Sequence, residues 1–565
     1  MIEHLTFIFY IILFSISTIG YGFILSKIID NDLLKYNIGW QGIIGFFTIS
    51  LLSILTSFFF AHSFLHNSLL HLIGIGSFLK FSKQLKNLYE IKNLFFLILI
   101  LWIGTYVFKN HDDFPYYHLT YSLNLSENAF VVGAGNFSHG FRTFSSLFYY
   151  HSILYMPLIN FYLFHIGPFF ILLFFNYILI QKIFENFNSK NFNFIYFFSL
   201  LSFIFINVVF YRIGEHGTDR SAQILLILIF LLFFEINYFE KKKKNLLLKV
   251  NLLLILVFLS SSMKALYYLY LALVPIIIFR KKIFFNFFEK KNYLLIFVLF
   301  ISLVVNLLTF YLNTGCFLYP AEKTCLVKQE WSIPKDEVKT MSIHYEWWAK
   351  AGGGPGYKHE LTKQEYVKNF VWLENWIDKH FFNKVTDTLF GIIFICLLVF
   401  FLFWFCKIKK EDKYKNQIGY LPYLLIFLFT LEWFLNHPAM RYGGYVLIAL
   451  PLMILTASKI SNFNVRQNKV YILTLFLICL TFITYNIRNT SRIIKETKVY
   501  NYDLFKSPYF FIDDVNSKKV ASNKDFSIYQ PQENKMCWAS KTPCSYGSNI
   551  KVKKYLWMNM VSRDD

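Results

Sequence analysis

Apolar and polar positions fall in long blocks along this chain. Apolar runs of about 16–24 residues, the length that crosses a bilayer as a helix, alternate with short polar gaps. The pattern predicts helices near 5–28, 40–61, 65–80, 92–107, 167–184, 194–211, 220–238, 246–261, 264–279, 293–312, 386–406, 418–435, 442–457 and 470–486. Lys and Arg crowd the gaps at 80–93, 240–245, 280–292, 407–415 and 459–469. By the positive-inside rule these gaps face the cytoplasm. Alternation through about fourteen crossings puts all five inside. It puts 108–166, 212–219, 313–385, 436–441 and everything after 487 outside, with both termini extracytoplasmic. No small-residue cleavage pattern follows the first helix, so it reads as a retained span.

Composition agrees. The 565 residues are 56% hydrophobic and 16% charged, with 69 Phe, too apolar for a soluble core of this size. The expected fold class is an all-α polytopic membrane protein with extracytoplasmic loops and a small C-terminal extracytoplasmic segment. Its parts are N-terminal membrane helices (1–107), a first large outer loop (108–166), a membrane core (167–312), a second outer loop (313–385), C-terminal helices (386–486) and a tail (487–565). The formal charge of +22 would suggest nucleic acid in a soluble protein, but here topology accounts for it.

Within the first loop, the stretch from Ser145 to Phe164 is apolar but broken by His151, Pro157 and Asn160, and parity forbids a crossing. It is expected as an interfacial helix with tyrosines at headgroup depth. In the second loop Thr362, with Glu365 three residues on, is expected to cap a helix over 361–381. "AGGGPG", from Ala351 to Gly356, reads as a flexible turn, because no strand precedes it. Most of the tryptophans at 331, 347, 348, 372 and 376 read as packing or interfacial residues, with one or two left for a glycan. Cys316 and Cys325 share the second loop, and Cys537 and Cys544 share the tail. Two close pairs in outer segments suggest two local disulfides, with four free thiols as the alternative. Cys396, Cys406 and Cys479 fall in apolar runs, as packing residues.

The outer segments also carry the chemistry. "HDDFPYYHL" sets Asp112 and Asp113 beside Tyr117 and His118 where the chain leaves the bilayer. Adjacent carboxylates raise each other's pKa, which would suit one of them to act as a base near neutral pH. "YRIGEHGTDRSAQ" packs Arg212, Glu215, His216, Asp219 and Arg220 into one turn. Lys264 in "SSSMK" and Arg441 in "NHPAMRYGG" stand on the outer side against the charge trend. Each cation alone could be a snorkelling side chain. Together, acids and cations on one side suit transfer from a phosphate-linked lipid: cations hold the phosphate and a carboxylate takes the acceptor's proton.

These motifs resemble a family. "DDFPYYHL" resembles the acidic first-loop signature of GT-C fold membrane glycosyltransferases, in particular a bacterial branch of mostly uncharacterised polytopic proteins. "GTDRSAQILLIL", "SSSMKALYYL", "TGCFLYP" with "EWSIP" and "EWWAK", and "HPAMRYGGYVLIALPL" resemble further motifs of that branch, over about residues 100–460. The resemblance implies a GT-C fold, an inverting transfer and a polyprenyl-phosphate sugar donor in the bacterial inner membrane. Asp113 then matches the catalytic base, with Tyr117 and the candidate catalytic His118 following at the family spacing and Asp112 as its alternative, and Asp219 matches a second acid. Lys264 and Arg441 match phosphate-side cations. Arg212, Glu215, His216 and Tyr117 are further substrate-binding candidates. The resemblance also allows a divalent metal ion at the acidic motif.

The expected activity is therefore transfer of a sugar to a lipid, glycan or protein acceptor on the outer face. The alternatives are a lipid-linked oligosaccharide flippase or other transporter, and a polysaccharide polymerase or ligase. A transporter should bury ionisable residues mid-span; the spans here are nearly free of charge. A polymerase or ligase should carry an arginine-rich outer loop, and residues 313–385 contain no arginine.

Overall fold

Long apolar runs become long helices. The computed structural model describes residues 2–84, 89–189, 192–215, 217–326, 328–353, 360–407, 418–463, 465–533, 535–547 and 549–563. Among these, nine helices are long and apolar enough to cross a membrane: Ile2–Ile29, Ile38–Ser57, Gly167–Asn188, Gly217–Phe239, Lys243–Met263, Lys290–Thr314, Leu373–Trp404, Gly444–Ser461 and Gln467–Tyr500. Phe194–Val209 and Leu421–Asn436 are shorter apolar helices. The remaining expected spans are helical too, at Phe64–Phe81, at Tyr89–Leu101, and as a 3-10 stretch Ala265–Ala272 running into Leu273–Lys281. The protein is a helical membrane protein.

Helices apolar on every side go to the centre. Gly217–Phe239 and Lys243–Met263 are almost wholly buried, whereas Leu373–Trp404 and Gln467–Tyr500 stand at the perimeter with most of their surface outward. Ile2–Ile29 and Ile38–Ser57 cross at glycine. A Cβ on Gly45 would lie 1.7 Å from the Thr18 carbonyl oxygen, so only glycine permits this approach.

Four expectations are corrected. The stretch 145–164 is not an interfacial helix. It forms a seven-residue helix, Ser146–Ser152, followed by turns. Tyr149 and Tyr150 are fully buried, because partners inside the bundle take both ends of the ring. The Tyr150 ring stacks on Phe46 at 4.0 Å and its hydroxyl lies 3.0 Å from Thr18 Oγ1. The Thr362 capping box forms, but its helix stops at Tyr366. Asn369 and Phe370 adopt left-handed φ of 49° and 62°, and a new helix starts at Leu373. The last helix continues to Tyr500 instead of ending near 486. Its polar extension packs on the 102–108 segment, where Arg492 donates to the Tyr106 carbonyl and Glu496 accepts from the Phe108 N–H at 3.0 Å.

The fourth correction concerns the all-α class, since the tail folds as β-structure. β2 (Ser517–Ser522) and β3 (Ser527–Pro531) form a hairpin. β4 (Ile550–Tyr555) pairs antiparallel with β5 (Met558–Arg563). β5 then pairs in parallel with β1 (Val131–Val132) of the first loop. The alternation of Ile550, Lys551, Val552 and Lys553 suits a sheet with one wet face. Disulfides join Cys316 to Cys325 and Cys537 to Cys544. The tail also grips the acidic segment: the Trp538 N–H donates to the Pro115 carbonyl at 3.1 Å, and the Tyr546 hydroxyl donates to the Tyr116 carbonyl at 3.3 Å. Loops, tail and sheet thus gather at one end of the bundle, called here the loop-rich end. Residues 354–356 of the glycine-rich turn and 408–415 of the fourth basic gap lie outside the described residues, as do 85–88 of the first gap and Asn464 of the fifth.

Candidate functional site

Four residues far apart in sequence meet at the loop-rich end. Asp113 precedes a π-helical turn, Phe114–His118, that runs into the helix Leu119–Glu127. Pro115 starts this turn without an N–H to lose, and widened turns of this kind are frequent at functional sites. Asp219 sits in the first turn of the helix beginning at Gly217, where the unpaired N–H groups favour an acid. Lys264 is the extended residue that ends the helix Lys243–Met263. Arg441 lies in a 3-10 turn, Met440–Tyr442, which closes through Gly443 at φ 107°.

The arrangement is a chain of ion pairs. Lys264 contacts Asp219 directly. Arg441 Nε donates to Asp219 at 2.7 Å, and its Nη2 reaches Asp113 at 3.4 Å. His111 Nδ1 lies 3.4 Å from Asp113 on the other flank. The four side chains range from 14% exposed at Asp219 to 38% at Arg441, so the cluster is sheltered without being sealed. Gln223, one turn beyond Asp219, donates to the Met440 and Arg441 carbonyls at 3.3 and 3.2 Å. One helix thereby holds both the backbone and the guanidinium of Arg441. The Tyr442 ring faces the Lys264 ammonium at 4.5 Å.

The electrostatics follow from these contacts. Burial pushes the Asp113 carboxyl up, but Arg441, then His118 and His111, outweigh it and hold the group below its ordinary range. This corrects the expected elevation of Asp113 by its neighbour. Asp112 points away, 79% exposed, with Lys109 at 3.8 Å, so the two carboxylates do not act as a pair. Burial, then the like charge of Arg441, presses the Lys264 ammonium downwards, and the Asp113 charge works against that. Burial lowers His118 to about 3 despite the nearby Asp113 charge, so its ring is neutral at ordinary pH.

His118 packs edge-on to Tyr117 and against Phe148, facing Gly217. Tyr117 covers Gly140, where a Cβ would come within 2.3 Å of the ring. Both line the approach to the cluster without joining its ion pairs. Arg212 and Glu215 are not part of it. They pair with each other and meet Arg492, 3.9 Å from Glu215, which pairs in turn with Glu496 at 2.9 Å. The turn 211–223 is thus divided: Asp219 serves the cluster, while Arg212 and Glu215 tie the turn to the last helix. His216 lies outside the described residues.

Sequence reasoning missed His111, Gln223, Tyr442 and Tyr345. The signals available were a glutamine inside an apolar run and aromatic or imidazole neighbours of the chosen charges. Tyr345, on the helix Lys335–Ala349, lies near enough to Tyr117 and Tyr442 for their hydroxyls to influence one another, though the second loop gave no hint of it.

A divalent metal does not fit here. Both carboxylates already face cations, and among the described residues no group of three or more His, Cys, Asp or Glu side chains could hold a metal ion. No step is derived through one.

The model of a family described as a domain of unknown function (DUF8201) matches residues 4–448. The chain belongs to that family. No curated protein and no solved structure matches it.

Proposed function

We propose that this chain is a membrane glycosyltransferase of GT-C architecture, with about fourteen crossings and its loop-rich end on the outer side of a bacterial inner membrane. The observation that carries the reading is the shared Arg441, which links Asp113 to Asp219 and, through Asp219, to Lys264. Simple connectors between spans have no need of such a convergence.

The donor is a sugar linked to a polyprenyl phosphate, and the acceptor is a hydroxyl of a lipid, glycan or protein. Asp113, ionised because its pKa is depressed, accepts the acceptor's proton as the oxygen attacks the anomeric carbon. The bond from that carbon to the phosphate oxygen breaks on the opposite face, and the configuration inverts. The departing phosphate keeps the electron pair. Lys264 and Arg441 stabilise this developing charge. Arg441 is suited to the task, since a guanidinium has five N–H donors and only part of them is spent on the carboxylates. Asp219 holds both cations in place before the donor arrives. In this reading Tyr117 and Tyr345 frame the acceptor side, while Tyr442 covers Lys264 on the phosphate side.

A radiolabel-transfer assay with polyprenyl-phosphate sugars and purified protein in lipid tests this reading. Label should move to an acceptor with wild type and fail to move with Asp113→Asn. Full transfer by an Asp113→Asn/Asp112→Asn double variant would sink it.

A carrier for lipid-linked glycans is the second reading. Its support is the buried Glu235 between the partly exposed Lys182 and Lys249, each 2.9 Å away, because ionisable groups within spans often mark transport paths. A carrier would move labelled lipid across proteoliposomes with no acceptor present, and would lose that flux in Glu235→Gln.

A further inference from the structure

A sizeable cavity among the described residues lies away from the ion cluster. It is a groove of about 500 Å³ between the helices Phe194–Val209, Leu373–Trp404 and Gln467–Tyr500. Val208, Phe394, Leu398 and Leu477 give it apolar walls. Two of its three helices are the exposed perimeter ones, so it opens sideways to the membrane. From Lys384 to Val399 the wall helix runs 399 − 384 = 15 residues, roughly 22 Å at 1.5 Å per residue, which suits one acyl chain.

Charge is confined to one end. Lys384, Asp387 and Arg488 ring the mouth, beside Tyr445, at the loop-rich end. Arg488 is held in place: it donates to the Val208 carbonyl at 2.5 Å and lies over the Tyr211 ring at 3.9 Å. Among the described residues neither Lys384 nor Arg488 pairs with a carboxylate, unlike the four ions of the cluster. The mouth therefore keeps a net positive charge at headgroup depth, above an apolar slot. Basic pockets of this kind between membrane helices hold lipid phosphates.

We propose that this groove is a resident site for one glycerophospholipid, with an acyl chain between the three helices and its phosphate between Lys384 and Arg488. The site is separate from the proposed donor site and does not depend on that reading. Lys264 and Arg441 do not line it, and Arg220 stands between the two places, stacked over Phe210, which in turn packs edge-on against Tyr445. A carrier whose phosphate must meet Lys264 and Arg441 would have no use for a second pair of cations.

Gly391 gives a clean test. It lines the groove, and a Cβ built on it meets nothing within 4 Å. Gly391→Leu starts a bulky side chain in open space on the groove wall, and it raises helix propensity, so loss of fold is not expected. The full chain, purified in mild detergent, is extracted and its lipids quantified by mass spectrometry. Native mass spectrometry with added phosphatidylglycerol and with diacylglycerol follows. Wild type should retain about one phospholipid per chain. G391L should retain at least fivefold less at unchanged melting temperature. K384Q should bind phosphatidylglycerol about fivefold more weakly, with diacylglycerol unaffected. Equal retention by wild type, G391L and K384Q overturns the proposal. So does a wild type that retains no phospholipid, or one whose retained lipid is an isoprenyl phosphate.

Discussion

One helix carries an ion cluster at each end. Asp219 opens the helix Gly217–Phe239 at the loop-rich end, and Glu235 stands near its other terminus. They are 235 − 219 = 16 residues apart, about 24 Å along the axis and most of a bilayer core. Glu235 is 5% exposed and lies under Lys182 and Lys249, with Glu240 3.1 Å from Lys249. These partners come from neighbouring stretches of packed helix. At the opposite end, Arg441 shares itself between two acids and Asp219 between two cations, the participants come from loops and helix ends, and all stay partly open to solvent. Charges centred on a buried acid and carried by packed helices fasten those helices together. Charges carried by loops and helix ends, with Asp113 and Arg441 the most open of them, can exchange a partner for an incoming anion.

Substitutions can break this contrast, beginning with the largest effect. Asp113→Asn should reduce sugar transfer roughly 10²–10⁴-fold, the usual span for loss of a general base, while the melting temperature stays close to wild type. Comparable transfer in a radiolabel assay would remove Asp113 from the chemistry. Glu235→Gln should do the reverse. Leaving the partly buried Lys182 and Lys249 without their acid costs ~1–3 kcal/mol of stability, read as a drop in the thermal unfolding midpoint in detergent. A midpoint within a degree or two of wild type would show that the trio is not a fastening.

Arg441→Lys keeps the charge and loses the fork, so transfer should fall about tenfold and donor binding should weaken. Wild-type kinetics in that variant would mean that a point charge suffices. The pH profile tests the shelter of His118 beside the cluster. The folded-state pKa of His118 is depressed to about 3 from an ordinary 6.5. Its contribution to stability is thus complete above pH 6.5 and is lost as the pH falls towards 3, because protons then favour the unfolded chain. His118→Asn should flatten that part of the unfolding midpoint's pH profile, and an unchanged profile would place the titration elsewhere. Least of all, Asp112→Asn should alter neither transfer nor stability by more than ~0.5 kcal/mol, since Asp112 faces solvent.

Much of this organisation was legible in the sequence. Block patterning located the helices because burial in lipid demands whole turns of apolar residues, and that demand is local. Asp113, Asp219, Lys264 and Arg441 could be singled out because charge at a span's edge is conspicuous. Their mutual contacts could not be read, nor the exclusion of Arg212 and Glu215, because neighbours in one turn point to different partners. The stretch from Ser145 to Phe164 misled for a related reason. An apolar segment with polar breaks looks the same whether it lies on a membrane or fills a bundle, and only Thr18 and Phe46, remote in sequence, decide between them. The tail's strands were hidden because β5 needs β1, more than four hundred residues upstream, to complete its sheet.

That parallel pairing has a consequence for biogenesis. Val131 and Val132 are made early, yet their strand partner at 559–560 emerges only after the helical bundle has been synthesised. The segment bearing Asp113 therefore waits, without its strap, until residues 517–563 have been delivered to the same side. The ion cluster should reach its final setting late in maturation, whatever chemistry it serves.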